Sequence, residues 1–253
     1  MRRVLVTGGS RGIGRAVALA FAERGDRVAV HCATNRVDAE NTVDQLPGAG
    51  HTVLVGDLGD PEVPQRIVED AVTALGGVDV LINNAAVAPT PDNEHRVAVV
   101  DQPEWQRVWR RMVEVNLLGA VNLTYGVARH LIGRGAGGSI INIGSRGAFR
   151  GEPEFPAYGA SKAALHAFGQ SMALALAPHG ISVASVAPGF IGTERQAAKL
   201  AGPSGAALRG QSPFGRVGTA EEVASAVLYL ASPEAQWASG AVLDLNGASH
   251  LRT

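Results

Sequence analysis

Apolar positions fall along the chain in short blocks separated by longer amphipathic stretches. Val4–Val6, Arg27–Cys32, Thr52–Val55, Val78–Ile82, Ser139–Ile143, Ile181–Ala187 and Ala241–Leu245 each read as a short strand. Helical periodicity runs from Gly14 to about Arg24, from Trp105 to about Arg134, and from Phe155 to His179. Asp60-Pro61-Glu62 reads as an N-cap, a first-turn proline and a first-turn acid. Thr219-Ala-Glu-Glu222 reads as a capping box for a helix to Leu230 that stops before Pro233. Strands alternate with helices without a linker, a repeat or a shift in composition. This predicts one domain over residues 1–253, an α/β doubly wound parallel sheet of about seven strands. Two stretches break the pattern. Val87–Glu104 is polar and bears prolines, so an irregular excursion over the site is expected. Glu194–Phe214 is polar, weakly helical and contains glycines, as a mobile substrate lid would.

Composition narrows the classes. The chain has 253 residues, 46% of them apolar, enough for a large buried core. A net charge of −1 with no run of Lys or Arg offers no nucleic-acid or membrane surface. No apolar run approaches the ~18 residues of a membrane span. The single cysteine, Cys32, excludes an intrachain disulfide and fits a reducing compartment. The first strand begins near Arg3, which leaves no room for a signal peptide. The seven histidines show no metal-ligand spacing. A cytoplasmic protein without a metal is expected.

The candidate chemistry sits at the ends of the strands. Thr7-Gly-Gly-Ser-Arg-Gly-Ile-Gly14 follows the first strand and opens a helix, with Gly8, Gly12 and Gly14 spaced GxxxGxG. Such glycines permit a tight turn and close backbone approach, and the helix N-terminus then offers free N–H groups to a phosphate. Ser10, Arg11 and Ile13 fill the same loop. The alternative is a Gly-rich turn without a ligand. The second strand ends His31-Cys32-Ala33-Thr34-Asn35-Arg36, without the acid that would hold a ribose diol. Arg11 and Arg36 then point to the 2′-phosphate of NADP(H), with NAD(H) as the alternative; as bystanders, both arginines would be solvated surface. Asp57, beside Leu58, precedes the cap at Asp60, so it either accepts from an adenine amino group or stabilises its own turn. Asn83-Asn-Ala-Ala86 either braces neighbouring loops and lines a cofactor cleft or forms a plain turn. Asn116 in the long helix is a core amide, or else it braces a kink and holds a water. Ser145 lies just past a central strand, where α/β sheets bind ligands.

Tyr158 and Lys162 stand one helical turn apart and share a face. A phenol titrates near pKa ~10, and a neighbouring cation favours its ionised form. The pair suits general acid–base catalysis, although an ordinary surface pair has the same spacing. The small side chains of Ala160, Ala163, Ala164 and Ala167 leave one side of that helix smooth, fit to bury against a symmetry mate in a homotetramer.

Taken together, Thr7–Gly14, Asp57-Leu58, Asn83–Ala86, Asn116, Ser145, Tyr158/Lys162 and Pro188-Gly189…Thr193 resemble the short-chain dehydrogenase/reductase family in its compact single-domain branch. The likeness is nearest to 3-oxoacyl-carrier-protein reductases and extends to Asp244-Leu-Asn-Gly247. It implies a Rossmann-type fold and a tetrad. Tyr158 would be the catalytic acid in reduction and the base in oxidation. Lys162 would lower the Tyr pKa and bind the nicotinamide ribose, Ser145 would bond the substrate oxygen, and Asn116 would hold a relay water. The same resemblance assigns Asp57 to adenine, Asn83 to the adenosine side, and Ile191 and Thr193 to the nicotinamide carboxamide, with Ala85, Pro188 and Gly189 as further cofactor contacts. Ala86 stands where the family commonly has Gly, and Val87–Glu104 is longer than usual for the branch. Carrier-protein reductases tend to present arginines near the end of the long Asn-bearing helix and before the HG turn, where this chain has Arg134, then Ala136, and His179; so thin a basic patch counts against an acidic carrier protein. The expected activity is NADP(H)-dependent interconversion of a small-molecule carbonyl and a secondary alcohol. The alternatives are a 3-oxoacyl-thioester reductase, an NAD-linked dehydrogenase of sugar-like or cyclic alcohols, and a non-enzymatic cofactor sensor.

Overall fold

Alternation within the strands sorts side chains to two sides of one sheet. In the computed structural model, which describes residues 1–252, Val4, Val6, Val28, Val30, Val80 and Ile82 point to one face, and Leu5, Ala29 and Leu81 to the other. The strands are β1 (Arg3–Val6), β2 (Arg27–Cys32), β3 (Thr52–Val55), β4 (Val80–Asn83), β5 (Gly138–Ile143), β6 (Ile181–Pro188) and β7 (Val242–Leu245). Every pairing is parallel, and the order is β3-β2-β1-β4-β5-β6-β7. This is the Rossmann-type doubly wound sheet. The order reverses between β1 and β4, and that reversal opens a crevice at the strands' carboxyl ends.

Among the described residues ten helices complete the layers: α1 (Gly12–Glu23), α2 (Arg36–Val43), α3 (Val63–Leu75), α4 (Gln102–Val113), α5 (Ala120–Gly133), α6 (Gly147–Arg150), α7 (Pro156–Leu176), α8 (Ala197–Ala201), α9 (Gly205–Arg209) and α10 (Ala220–Leu230). On one face, α1 and α10 cover the valine-rich side. On the other, α3, α5 and α7 bury Ile67, Leu123, Leu131 and Leu176. No helix among the described residues is long and apolar enough to cross a membrane.

Local signals set several ends. Thr219 and Glu222 form the expected capping box of α10, with reciprocal bonds of 3.2 and 2.9 Å. The predicted start at Asp60 lies one turn early. Asp60 Oδ1 accepts from Glu62 N within a turn, and α3 begins at Val63. The long helix expected over Trp105–Arg134 is divided. A π-helical turn at Glu114–Gly119 separates α4 from α5 and carries Asn116. The 87–104 excursion is largely irregular, as expected, with a 3-10 turn at Pro91–Asn93. The 194–214 stretch carries a 3-10 turn and the short helices α8 and α9.

Candidate active site

The glycine loop is shaped by backbone constraints. Gly8 and Gly12 adopt φ of 62° and 55°, a region that suits residues without a Cβ. A Cβ at Gly14 would lie 2.2 Å from Gly8 O, so only glycine lets α1 start this close to β1. Thr7 ties the loop across the switch point. Its hydroxyl accepts from Asn84 N at 2.9 Å and Ala85 N at 3.0 Å and donates to Ile82 O. The Asn84 side chain donates to Thr7 O and Gly8 O. Buried His31 fixes the other side: Nδ1 faces Gly8 N at 3.4 Å and Nε2 faces Gly56 O at 2.8 Å. Desolvation by burial lowers its pKa to about 4, so the ring stays neutral.

The resulting cavity, of about 960 Å³, runs from the glycine loop to α7. Gly8, Ser10, Arg11, Gly12, Ile13 and Gly14 line one end, and Asp57, Leu58 and Ala85 its side. Ser145, Tyr158, Lys162, Pro188, Gly189, Ile191 and Thr193 line the other end. The left-handed glycines, the close Gly14 contact and the start of α1 together fit an extended dinucleotide.

At the inner end, α7 presents Tyr158 and Lys162 towards the end of β5. Lys162 Nζ donates to Ile143 O at 2.7 Å and lies 6.0 Å from the centroid of the Tyr158 ring. Lys162 is buried, and desolvation lowers its pKa to about 8. Burial pushes the Tyr158 phenol up, while the neighbouring Ser145 hydroxyl draws it down. The groups that draw the phenol down are Ser145 and then Arg195, where the helical spacing points to Lys162. Ser145 Oγ also accepts from Gly147 N at 3.0 Å, which fixes its hydroxyl beside the phenol. A carbonyl oxygen placed between the two hydroxyls would meet two donors, one of which can give up its proton.

Three expected residues stand elsewhere. Asn83 does not line the cavity. β4 runs one residue further than predicted, so its side chain points inward and Nδ2 donates to Thr124 Oγ1 and Asn142 Oδ1, both at 3.0 Å. Asn84 takes its place at the cavity wall. Arg36 is also absent from the lining; its Nε pairs with Glu40 across one turn of α2 at 2.7 Å, and its side chain is 62% exposed. Asn116 is buried away from the cavity. Its Oδ1 accepts from Val87 N at 2.7 Å, and its Nδ2 donates to Val87 O and Ser161 Oγ at 3.2 Å. Both groups of the amide have partners within the fold, so the Asn116 side chain braces the kink and the loop.

Other groups had no signal at sequence level. Arg111, from α4, bonds both oxygens of Asp57 at 2.9 and 2.8 Å. Burial pushes the Asp57 carboxyl up, but the bonds from Arg111 and Gly59 N outweigh it and hold it below its ordinary value. Glu194 reaches the first turn of α1, and Arg195 lies close enough for its charge to act on Tyr158. His95 is fully buried, accepts from Ala157 N at 3.0 Å and donates to Asn93 O at 2.8 Å, pinning the 87–104 loop to the start of α7. The ring of His166 stacks on Phe149, with centroids 5.3 Å apart, and neither ring nitrogen has a partner among the described residues.

Comparison with known proteins follows the same lines. A family model described as "short chain dehydrogenase" matches residues 2–203. L-rhamnose 1-dehydrogenase (NAD(P)(+)) of Sphingomonas sp. (strain SKA58) is 35% identical over 99% of this chain and 96% of its own length. The 3-oxoacyl-[acyl-carrier-protein] reductase FabG of Salmonella typhimurium is 38% identical over 98% of this chain and 96% of its own. The crystal structure of acetoin dehydrogenase YohF from Salmonella typhimurium superposes with a TM-score of 0.85 at 32% identity, covering 100% of this chain and 99% of that one.

Proposed function

The chain belongs to the short chain dehydrogenase family, whose members use nicotinamide cofactors, and on that premise we propose that it is an NADP(H)-dependent oxidoreductase interconverting a carbonyl compound and a secondary alcohol. The observation that carries the reading is the placement of Ser145, Tyr158 and Lys162 together on the wall of the dinucleotide-sized cavity, with Lys162 anchored on Ile143 O. When bound, the nicotinamide supplies or takes up a hydride.

The residues do the rest. Ser145 holds the substrate oxygen and orients the carbonyl. Tyr158 donates its phenolic proton to that oxygen in reduction and takes it back in oxidation. Burial keeps the phenol protonated at neutral pH, the state that reduction requires. Lys162, held by Ile143 O, places a positive charge where phenolate develops. Asn116 fixes Val87 and Ser161 around them. Ser10, Gly12, Ile13 and Gly14 would hold the diphosphate, Asp57, Leu58 and Ala85 the adenosine, and Pro188, Gly189, Ile191 and Thr193 the nicotinamide end. In this reading the whole chain serves as one dinucleotide-binding and catalytic domain.

The preference for NADP(H) is supported by the end of β2. Cys32 and Ala33 line the cavity there in place of the acid that would bind a ribose diol, and Arg11 lies on the same wall. Arg36 adds to this only on release from Glu40. A homotetramer is supported by α7, where Ala160 and Ala167 are exposed and Leu174 is 82% exposed. The lone buried Cys32 is consistent with a cytoplasmic setting. The test is turnover of a panel of ketones and secondary alcohols with both cofactors. Reduction of any ketone with NADPH, faster than with NADH, supports the proposal; no turnover with either cofactor overturns it.

A further inference from the structure

Beyond Tyr158, the substrate end of the cavity is bounded by residues 145–155 on one side and by the 194–211 segment on the other. Among its groups Glu152 stands apart. Its side chain folds against two glycines: a Cβ at Gly147 would lie 2.5 Å from Glu152 Oε1, and one at Gly159 would lie 3.6 Å from Glu152 Cβ. Gly159 directly follows Tyr158, so the carboxylate is held beside the catalytic phenol, close enough for its charge to act on it. Glu152 is half-buried and, among the described residues, has neither a hydrogen-bond partner nor an ion pair. Desolvation pushes its carboxyl up, and the nearby charges of Arg150 and Arg146 oppose this. Arg146 is not free to pair with it, because its guanidinium is bound to Ser249 Oγ and Gln211 Oε1. A carboxylate withdrawn from water without a partner is costly, and a donor brought by a ligand removes that cost.

The surroundings limit what that ligand is. Glu152 only accepts hydrogen bonds, whereas Arg150, Arg195 and Lys199, which line the same end, only donate. An ammonium compound would suit Glu152 but face those three cations, because the other acids of the lining are already paired, Glu94 and Glu154 with Arg96 and Glu194 with Arg15. A plain acyl chain would cover the carboxylate and offer it nothing. A hydroxyl group donates and accepts, so a substrate carrying several of them serves both kinds of wall.

Resting on the oxidoreductase reading above, we propose that the substrate is a polyhydroxylated compound, an aldose or polyol, and that Glu152 accepts hydrogen bonds from hydroxyl groups flanking the reacting carbon. Glu152 is then a specificity-determining residue. Its side chain has room beside the cavity wall because residue 147 carries no Cβ.

The test compares oxidation of L-rhamnose, D-glucose and D-sorbitol with that of cyclohexanol, and with reduction of acetoacetyl-CoA, using the full-length protein and both cofactors. At least one polyhydroxylated probe is expected to exceed cyclohexanol and acetoacetyl-CoA in kcat/KM by about tenfold or more. Glu152→Ala is expected to raise KM for that probe and to lower its kcat/KM relative to cyclohexanol by roughly tenfold, the scale of one charged hydrogen bond. Glu152→Gln, whose amide oxygen still accepts, should fall between the two, and melting curves of both variants confirm folding. Equal losses on the sugar and on cyclohexanol, or no preference for any hydroxylated probe, would overturn the inference and leave the oxidoreductase reading standing. Absence of turnover with every probe, simple ketones included, overturns both.

Discussion

Glu194 lies across the first turn of α1, where its Oε2 accepts from Gly12 N at 3.2 Å and its Oε1 meets Arg15 Nη1 at 3.1 Å. Residue 194 begins the 194–214 segment, and Gly12 belongs to the loop that would hold a diphosphate. A carboxylate thus occupies the kind of position an anionic ligand would take, at a helix N-terminus.

The first prediction follows from that contact. Glu194→Ala and Glu194→Gln should bind NADPH more tightly, by roughly two- to fivefold, the scale of one charge at a helix terminus. Fluorescence titration measures it. Unchanged or weaker binding in both variants would show that Glu194 does not compete with the cofactor.

A second prediction concerns His95. It is fully buried, its ring bridges Asn93 O and Ala157 N, and it packs edge-on against Trp105 at 5.8 Å. His95→Ala removes the ring and leaves a buried N–H unpaired, at a cost of about 2–4 kcal/mol. A lower melting temperature is expected, together with faster proteolysis within residues 87–104. Melting and cleavage like those of the unmodified protein would mean that the loop is anchored elsewhere.

Acid should destabilise the fold through two buried histidines. Desolvation lowers His31 and His166 from an ordinary 6.5 to about 4 each. Between those values the unfolded chain binds protons that the folded chain does not. Their contribution is complete above pH 6.5 and is lost as pH falls towards 4. At pH 5 the loss is about 2 kcal/mol per residue. Denaturant titrations at pH 7 and pH 5 read it, and His166→Leu should flatten the dependence. Equal pH dependence in that variant would remove His166 from the explanation.

Cofactor choice supplies a fourth prediction. Arg11 lines the cavity, while Arg36 is paired with Glu40. NADPH should exceed NADH in kcat/KM. Arg11→Ala should reduce that preference by several-fold, on the scale of one charge-assisted contact, Arg36→Ala should change it little, and Cys32→Asp should shift it towards NADH. Equal or better use of NADH by the unmodified protein would contradict the assignment.

The relation of sequence to structure differs from element to element. The strands were legible because Val, Ile and Leu cluster in short blocks, and the Thr219/Glu222 box is a local signal that needs no tertiary context. The α2 helix had no such signal: in Arg36–Val43 only Ala39 and Thr42 are buried, so no apolar stripe forms. Asn83 was misplaced because β4 ends one residue later than its apolar run, and one residue along a strand reverses the side chain. Tyr158 and Lys162 were legible from their spacing within one helix. The pairs Arg111–Asp57 and Glu194–Gly12 join residues 54 and 182 positions apart, and only the fold brings them together. Glu152 gains its meaning from two glycines on either side of it in the sequence, a juxtaposition that loop composition does not reveal.

The central claim is that Tyr158 transfers the proton while the nicotinamide transfers the hydride. Tyr158→Phe keeps the ring and removes the proton. Turnover of a ketone by this variant, followed through NADPH consumption, should fall by about 10²-fold or more, the scale of general acid catalysis. NADPH affinity measured in parallel should stay close to that of the unmodified protein. Turnover near the original rate, with the cofactor bound normally, would contradict the account.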